Sequence, residues 1–155
     1  MTRLGGPAAP LRPGSARVAV VDDDGDLDLA PFLAALRGAG IAAAPPAAAP
    51  PMAAPDAGEG GAAPPKADLI VVASRVRAGK GRAGLSEASA VRLRTVLARS
   101  PAAPLLVLGA PWLAPPGTGP VLVAYGRQAP LQRAAARVLA GQASAPGRLP
   151  VAAAR

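Results

Sequence analysis

The densest group of chemistry-bearing side chains is the run Asp22, Asp23, Asp24, with Asp26 and Asp28 just beyond. It follows the β-branched stretch RVAVV (17–21), so the sequence predicts adjacent carboxylates on a rigid strand end, where they can hold a hard cation such as Mg²⁺. The same acids have a structural use: turn formers stop the strand, and acidic groups favour the amino end of the next helix.

Other reactive arrangements are scarce. The loop RVRAGKGRAG (75–84) offers glycines and Lys80 for wrapping an anion, but GxxxxGK[ST] is absent and no GxGxxG opens a helix, so it reads as a solvent-facing loop. With no His and no Cys, no Ser can be activated by an imidazole, and thiolate or imidazole metal sites and disulfides are excluded. The only glutamates are Glu59, in a Pro-rich stretch, and Glu87, at a helix start, which is a poor basis for a glycosidase carboxylate pair.

The 155 residues suffice for one ordinary domain. Of these, 41 are Ala, 18 Gly and 20 Pro, so the apolar fraction of 51% overstates the core-forming material. Leu, Val, Ile, Met and Phe number 36, enough for one modest core and moderate stability at best. The net charge of +8 comes from 15 Arg and 2 Lys against 9 acids, a balance that raises nucleic acid as a partner. The arginines are scattered, however, and only Phe32, Trp112 and Tyr125 could stack on a base, so no nucleic-acid partner is expected. No apolar run approaches membrane-spanning length and residues 1–15 lack a secretion signal's apolar stretch, so the expectation is a soluble chain, cytoplasmic by default, with no membrane partner.

These groups must be held by an alternation of strands and helices. After strand 17–21, Leu29, Phe32, Leu33 and Leu36 form one helical stripe that Gly38 and Gly40 end. Residues 41–44 suggest a short strand, and 43–66, with seven prolines, a flexible insertion. DLIVVA (68–73) is the best strand, apolar throughout as in a parallel sheet covered on both faces. Ser86 caps a helix with Leu93, Val96 and Leu97 inward and Arg92 and Arg99 outward; LLVL (105–108) and VLVAY (121–125) are further strands. A last helix turns Leu131, Ala134, Ala135, Val138 and Leu139 inward and Gln132, Arg133 and Arg137 outward, and stops at Gly141. The expected fold is α/β, a flavodoxin-like three-layer α/β/α sandwich with a mostly parallel sheet over 17–151, after a disordered segment 1–16 and before a tail 152–155. Ligands in such sheets gather at the strand carboxyl ends, which singles out loops 22–28, 76–85, 109–119 and 126–129.

Two families share features with these loops. RVAVVDDDGDLDLAPFLAALRGAG (17–40) resembles the first strand and helix of response-regulator receivers, whose acids bind the metal for phosphotransfer. That family also needs an Asp after the third strand, Thr or Ser after the fourth and Lys after the fifth; here those places hold Ala73 or Ser74, Gly109, and Gly126 or Arg127. The other likeness runs over about 17–151 and is to the second domain of glycoside hydrolase family 3. It rests on the turn Ala110-Pro111-Trp112-Leu113, the strand end Ala124-Tyr125-Gly126, the helix end Leu139-Ala140-Gly141, and the closing Gly147-Arg148-Leu149-Pro150-Val151.

The family 3 resemblance implies that the catalytic nucleophile and most sugar contacts lie on a (β/α)8 barrel, upstream in a parent protein or on another chain. In the β-glucosidase branch the sandwich donates an acid/base Glu from the loop after its best strand; loop 76–85 has no carboxylate. The likeness is therefore to the β-N-acetylhexosaminidase branch, where the sandwich supports and covers the barrel. The implied function is a carboxyl-terminal accessory domain, a fragment or degenerate copy, of an enzyme cleaving O-glycosidic bonds. This chain alone is expected to be inactive, with no catalytic, cofactor-binding or metal-binding residue assigned, no cofactor, and carbohydrate reached only through the barrel. Trp112 and Arg127 would pack against that barrel, with Trp112 as a core plug the competing reading. The alternative function is a degenerate receiver-like signalling or interaction domain without a phospho-acceptor.

Overall fold

A computed structural model describes residues 1–4, 10–44, 66–75 and 84–147. Its centre is β5 (Leu69–Ala73), whose five residues are all buried because both faces are covered and both edges are paired. One edge pairs in parallel with β3 (Val18–Asp22), the other with β6 (Leu105–Leu108), which pairs in parallel with β7 (Val121–Val123). Strand alternation divides the side chains: Leu69, Val71, Leu106, Leu108 and Leu122 enter one core, while Ile70, Val72, Leu105, Val107, Val121 and Val123 enter the other.

The first core is closed by α1 (Ala30–Gly38) and α3 (Ala129–Leu139), which pack on each other; the second is closed by α2 (Glu87–Arg99) through Leu93 and Val96. This is the α/β/α sandwich. Ser86 caps α2 by accepting from the Ser89 N–H, with Glu87 in its first turn and Arg99 in its last. At the other end of α2, buried Ser100 accepts from the Ala67 N–H at 2.8 Å, tying the helix end to the chain that enters β5.

Residues 1–16, expected to be disordered, supply two strands. β1 (Thr2–Leu4) pairs antiparallel with β7, satisfying the edge that β7 would otherwise leave open. β2 (Gly14–Ala16) is separated from β3 only by Arg17 and pairs in parallel with β4 (Ile41–Ala43). Neighbouring strand residues turn their N–H and C=O groups to opposite edges. Gly14 bonds toward β4 while Arg17 and Asp23 bond toward β5, so β4 and β5 flank the same extended run on opposite sides. Hydrogen bonding thus forms a five-stranded sheet in the order β1-β7-β6-β5-β3 and a two-stranded sheet β2-β4 that continues the run across Arg17, so that along the chain path the parallel strands lie in the flavodoxin-like order β4, β2/β3, β5, β6, β7.

Several local expectations are corrected. α1 has no acid in its first turn and no side-chain cap; Asp28, just outside it, accepts from the Ala30 N–H at 2.8 Å. The strand read at 121–125 ends at Val123, because Tyr125 turns into the left-handed region at φ 57°. On α3, Ala134 is exposed and Gln132 is buried, the amide occupying the first position of the stripe Gln132, Ala135, Ala136, Leu139. Residues 45–65, most of the Pro-rich insertion, 76–83 of the Gly-rich loop, and 148–155 lie outside the described residues.

Candidate functional site

The carboxyl ends of β3 and β5 meet where the strand order reverses, the place at which open α/β sheets bind ligands. Asp22 closes β3, and its carboxylate organises the following turn by accepting from the Asp24 N–H at 3.3 Å and the Leu27 N–H at 2.7 Å. Gly25, at φ 75°, supplies the left-handed residue that this turn needs.

Asp23 crosses the crevice. It accepts from the Ser86 N–H at 3.0 Å, the Ser86 hydroxyl at 2.5 Å and the Ser74 hydroxyl at 3.3 Å, joining the ends of β3 and β5 to the start of α2. Asp24 accepts from the Arg75 N–H at 2.7 Å and from Arg127 Nη1 at 3.2 Å. Arg127 Nη2 donates to Asp26 at 2.7 Å and lies 3.6 Å from Asp22, while Arg75 Nη2 makes a 2.6 Å ion pair with the other Asp26 oxygen. The hydrogen bond from Arg127 is the main cause holding the Asp26 carboxyl below its ordinary pKa.

One guanidinium from the loop after β7 thus binds three carboxylates from the loop after β3. Oxygens of Asp22, Asp24 and Asp26 lie within 4.8 Å of one another, close enough to share a cation. Arg127, only 14% exposed, supplies that positive charge from the chain itself. Its side chain is turned inward by charge pairing with Asp22, Asp24 and Asp26.

Beside this clasp is a cavity of about 210 Å³ lined by Asp26, Leu27, Asp28, Pro31, Arg75, Arg127, Ala129 and Gln132. Gln132 Nε2 donates to the backbone carbonyls of Asp28 and Arg127, both at 2.8 Å, so the amide bridges the two loops. Its Oε1 has no donor among the described residues. The sequence missed Arg75 and Gln132 as members of this cluster; both are distant from the aspartates in the chain, so no local spacing announces them.

Trp112 lies on the 3₁₀ turn Pro111–Leu113 after β6 and is 61% exposed, while Leu113 fills the core. The core-plug reading of Trp112 is corrected accordingly. The turn is fixed by close packing: a Cβ on Gly109 would stand 2.9 Å from the Ser74 carbonyl oxygen and 3.0 Å from Leu113 Cδ1. Trp112 and Leu113 form one wall of a second, mainly apolar cavity that reaches Leu93 and Arg94 of α2.

At the places compared with a receiver stand Ala73 or Ser74, Gly109, and Gly126 or Arg127; Ser74 donates to Asp23. Glu87 lies in the first turn of α2, and Glu59 falls outside the described residues. Ser74 and Ser86 hydrogen-bond a carboxylate with no imidazole beyond it, which fixes their hydroxyls without making them strong nucleophiles. No helix among the described residues is long and apolar enough to cross a membrane. Comparison with family models, curated proteins and solved structures finds no match to this chain.

Proposed function

We propose that the chain is a non-catalytic accessory domain resembling the carboxyl-terminal sandwich of family 3 glycoside hydrolases, nearest the β-N-acetylhexosaminidase branch, and that it works against a catalytic barrel supplied upstream or by another chain. The observation carrying this reading is the division of labour in Ala110-Pro111-Trp112-Leu113. This motif is a rigid turn directly after β6 that buries Leu113 and offers Trp112 outward, as a docking element must. Two other markers also fall at junctions: Ala124-Tyr125-Gly126 follows β7, and Leu139-Ala140-Gly141 ends α3, with Gly141 at φ 74°.

The test is hydrolysis of a chromogenic N-acetyl-β-glucosaminide by the chain alone and by the chain mixed with a family 3 barrel encoded immediately upstream of it. Activity only in the mixture, weakened by Trp112→Ala, is expected. Hydrolysis by the chain alone, or a barrel fully active without it, refutes the accessory role. One observation favours a second reading, a degenerate receiver-like interaction module: Arg127 follows the last parallel strand, where receivers carry Lys, and contacts the acids after β3. That reading expects no barrel binding and no stable phosphoprotein after exposure to acetyl phosphate.

A further inference from the structure

We propose that the outer face of the α1/α3 layer is a docking surface for double-helical nucleic acid, held through its phosphates. The arginines are dispersed along the chain, yet the fold gathers four of them on one side of the sheet. α1 and α3 start side by side, where Gln132 Nε2 donates to the Asp28 carbonyl, and each carries an Arg in its last turn, Arg37 and Arg137. Residues 11–14 then cross between the two helix ends. The Leu11 N–H donates to the Leu139 carbonyl at 2.8 Å and the Gly14 N–H to the Gly40 carbonyl at 3.1 Å, which places Arg12 between them. Arg133 lies one turn before Arg137 on the same face of α3, about 6 Å away along the axis. All four arginines are exposed, neither helix contains an acid, and none of the four has an ion-pair partner among the described residues.

The helix macrodipole accounts for a cation in each last turn. It does not account for Arg12, which is outside both helices, or for Arg133, whose like-charged neighbour at i+4 disfavours the helix. Charge complementarity calls for an anionic partner, and the rest of the face narrows its kind. The exposed positions among the arginines are small: Ala34, Gly38 and Ala134. Docking on an anionic bilayer uses Trp, Phe or Leu to insert, and a protein partner an aromatic anchor; this face has neither. Single strands are held by stacking on aromatic rings, but Phe32 is buried, and Trp112 and Tyr125 follow the carboxyl ends of β6 and β7, away from the helix ends where Arg12, Arg37 and Arg137 gather. A duplex presents regular phosphates without requiring stacking; guanidinium forks match phosphate oxygens, and small residues between them let the backbone approach. Four contacts give log K against log salt a slope of about −3.6.

The surface does not depend on the accessory-domain reading, and its test contains neither sugar nor barrel, so either can fail alone. The full chain is titrated into a fluorescein-labelled DNA duplex of about 20 base pairs, with anisotropy read between about 50 and 200 mM NaCl. Micromolar binding at the lower salt and the slope above are expected. Arg133→Gln with Arg137→Gln makes the slope shallower by about 1.8, and Arg12→Gln, outside the helices, by about 0.9, which serves if the double variant does not fold. Arg92→Gln with Arg94→Gln, on α2 across the sheet, lowers the net charge of the chain as much as the first pair and leaves the slope unchanged. No binding at the lower salt, an equal loss of slope in the α2 variant, or tighter binding of a single strand of the same length overturns the proposal. Binding to phosphatidylserine vesicles but not to the duplex overturns it too and assigns the face to a membrane.

Discussion

Replacing Arg127 by Met tests the charge clasp most directly, because Met keeps much of the side-chain length and removes the guanidinium. Arg127 is 14% exposed, and its partners Asp22 and Asp24 are 14% and 9% exposed, so these charges are largely withdrawn from solvent. Removing one partner from such a cluster leaves uncompensated carboxylates, which costs about 3 kcal/mol after allowance for residual solvent screening. For a domain of this size that loss lowers the melting temperature by roughly 10 °C.

The loss is also pH-dependent. Arg127 depresses the Asp26 pKa, so the stabilisation is present above the ordinary carboxylate range and disappears as pH falls through the lowered folded value. The gap between wild type and Arg127→Met is therefore widest near neutral pH and narrows on acidification, as Asp26 takes up a proton. Urea unfolding followed by far-ultraviolet circular dichroism at both pH values measures it. A double-mutant cycle sharpens the test: Asp24→Asn destabilises the wild type but restores stability to Arg127→Met, where it removes a repelling charge. A neutral-pH gap under about 1 kcal/mol, or an Asp24→Asn effect of the same sign in both backgrounds, refutes the clasp as a source of stability.

Further outcomes follow from single contacts. Ser86→Ala removes both the α2 cap and the hydroxyl donated to Asp23, and lowers stability by about 2 kcal/mol in the same urea assay. Gly109→Ala forces a methyl to within 2.9 Å of the Ser74 carbonyl oxygen and costs about 2 kcal/mol in thermal unfolding. Trp112→Ala, at a site 61% exposed, changes stability by less than about 0.5 kcal/mol, and wild-type fluorescence from this sole Trp is readily quenched by acrylamide. The Asp68 carboxyl is held below its usual pKa by Arg17, through its side chain first and its backbone N–H second. Its contribution is thus lost as pH falls, and Asp68→Asn flattens that part of the acid-unfolding curve.

The elements were legible wherever one local pattern was strong. Continuous apolar runs marked β5 and β6 because a doubly covered parallel strand has no face to give to water. The stripe Phe32, Leu33, Leu36 marked α1, and Ser86 marked the start of α2 through its own side-chain chemistry. Strands β1 and β2 were missed because Thr2–Leu4 and Gly14–Ala16 carry little pattern of their own and exist through pairing with β7 and β4. Gln132 was placed outward because the amide is polar; two loop carbonyls to receive its protons are a tertiary circumstance.

The sequence by itself determined an alternating strand and helix order, a sandwich with one modest core on each sheet face, the acidic end of the first long parallel strand, and the lack of thiol and imidazole chemistry. Tertiary structure alone decided what those acids do. Arg127 lies 103 residues beyond Asp24, and only the parallel sheet order and the β7 loop bring its guanidinium to the β3 carboxylates. Backbone patterns arise from neighbours a few residues apart and are written locally, whereas charge compensation depends on distance in space, which chain spacing does not encode.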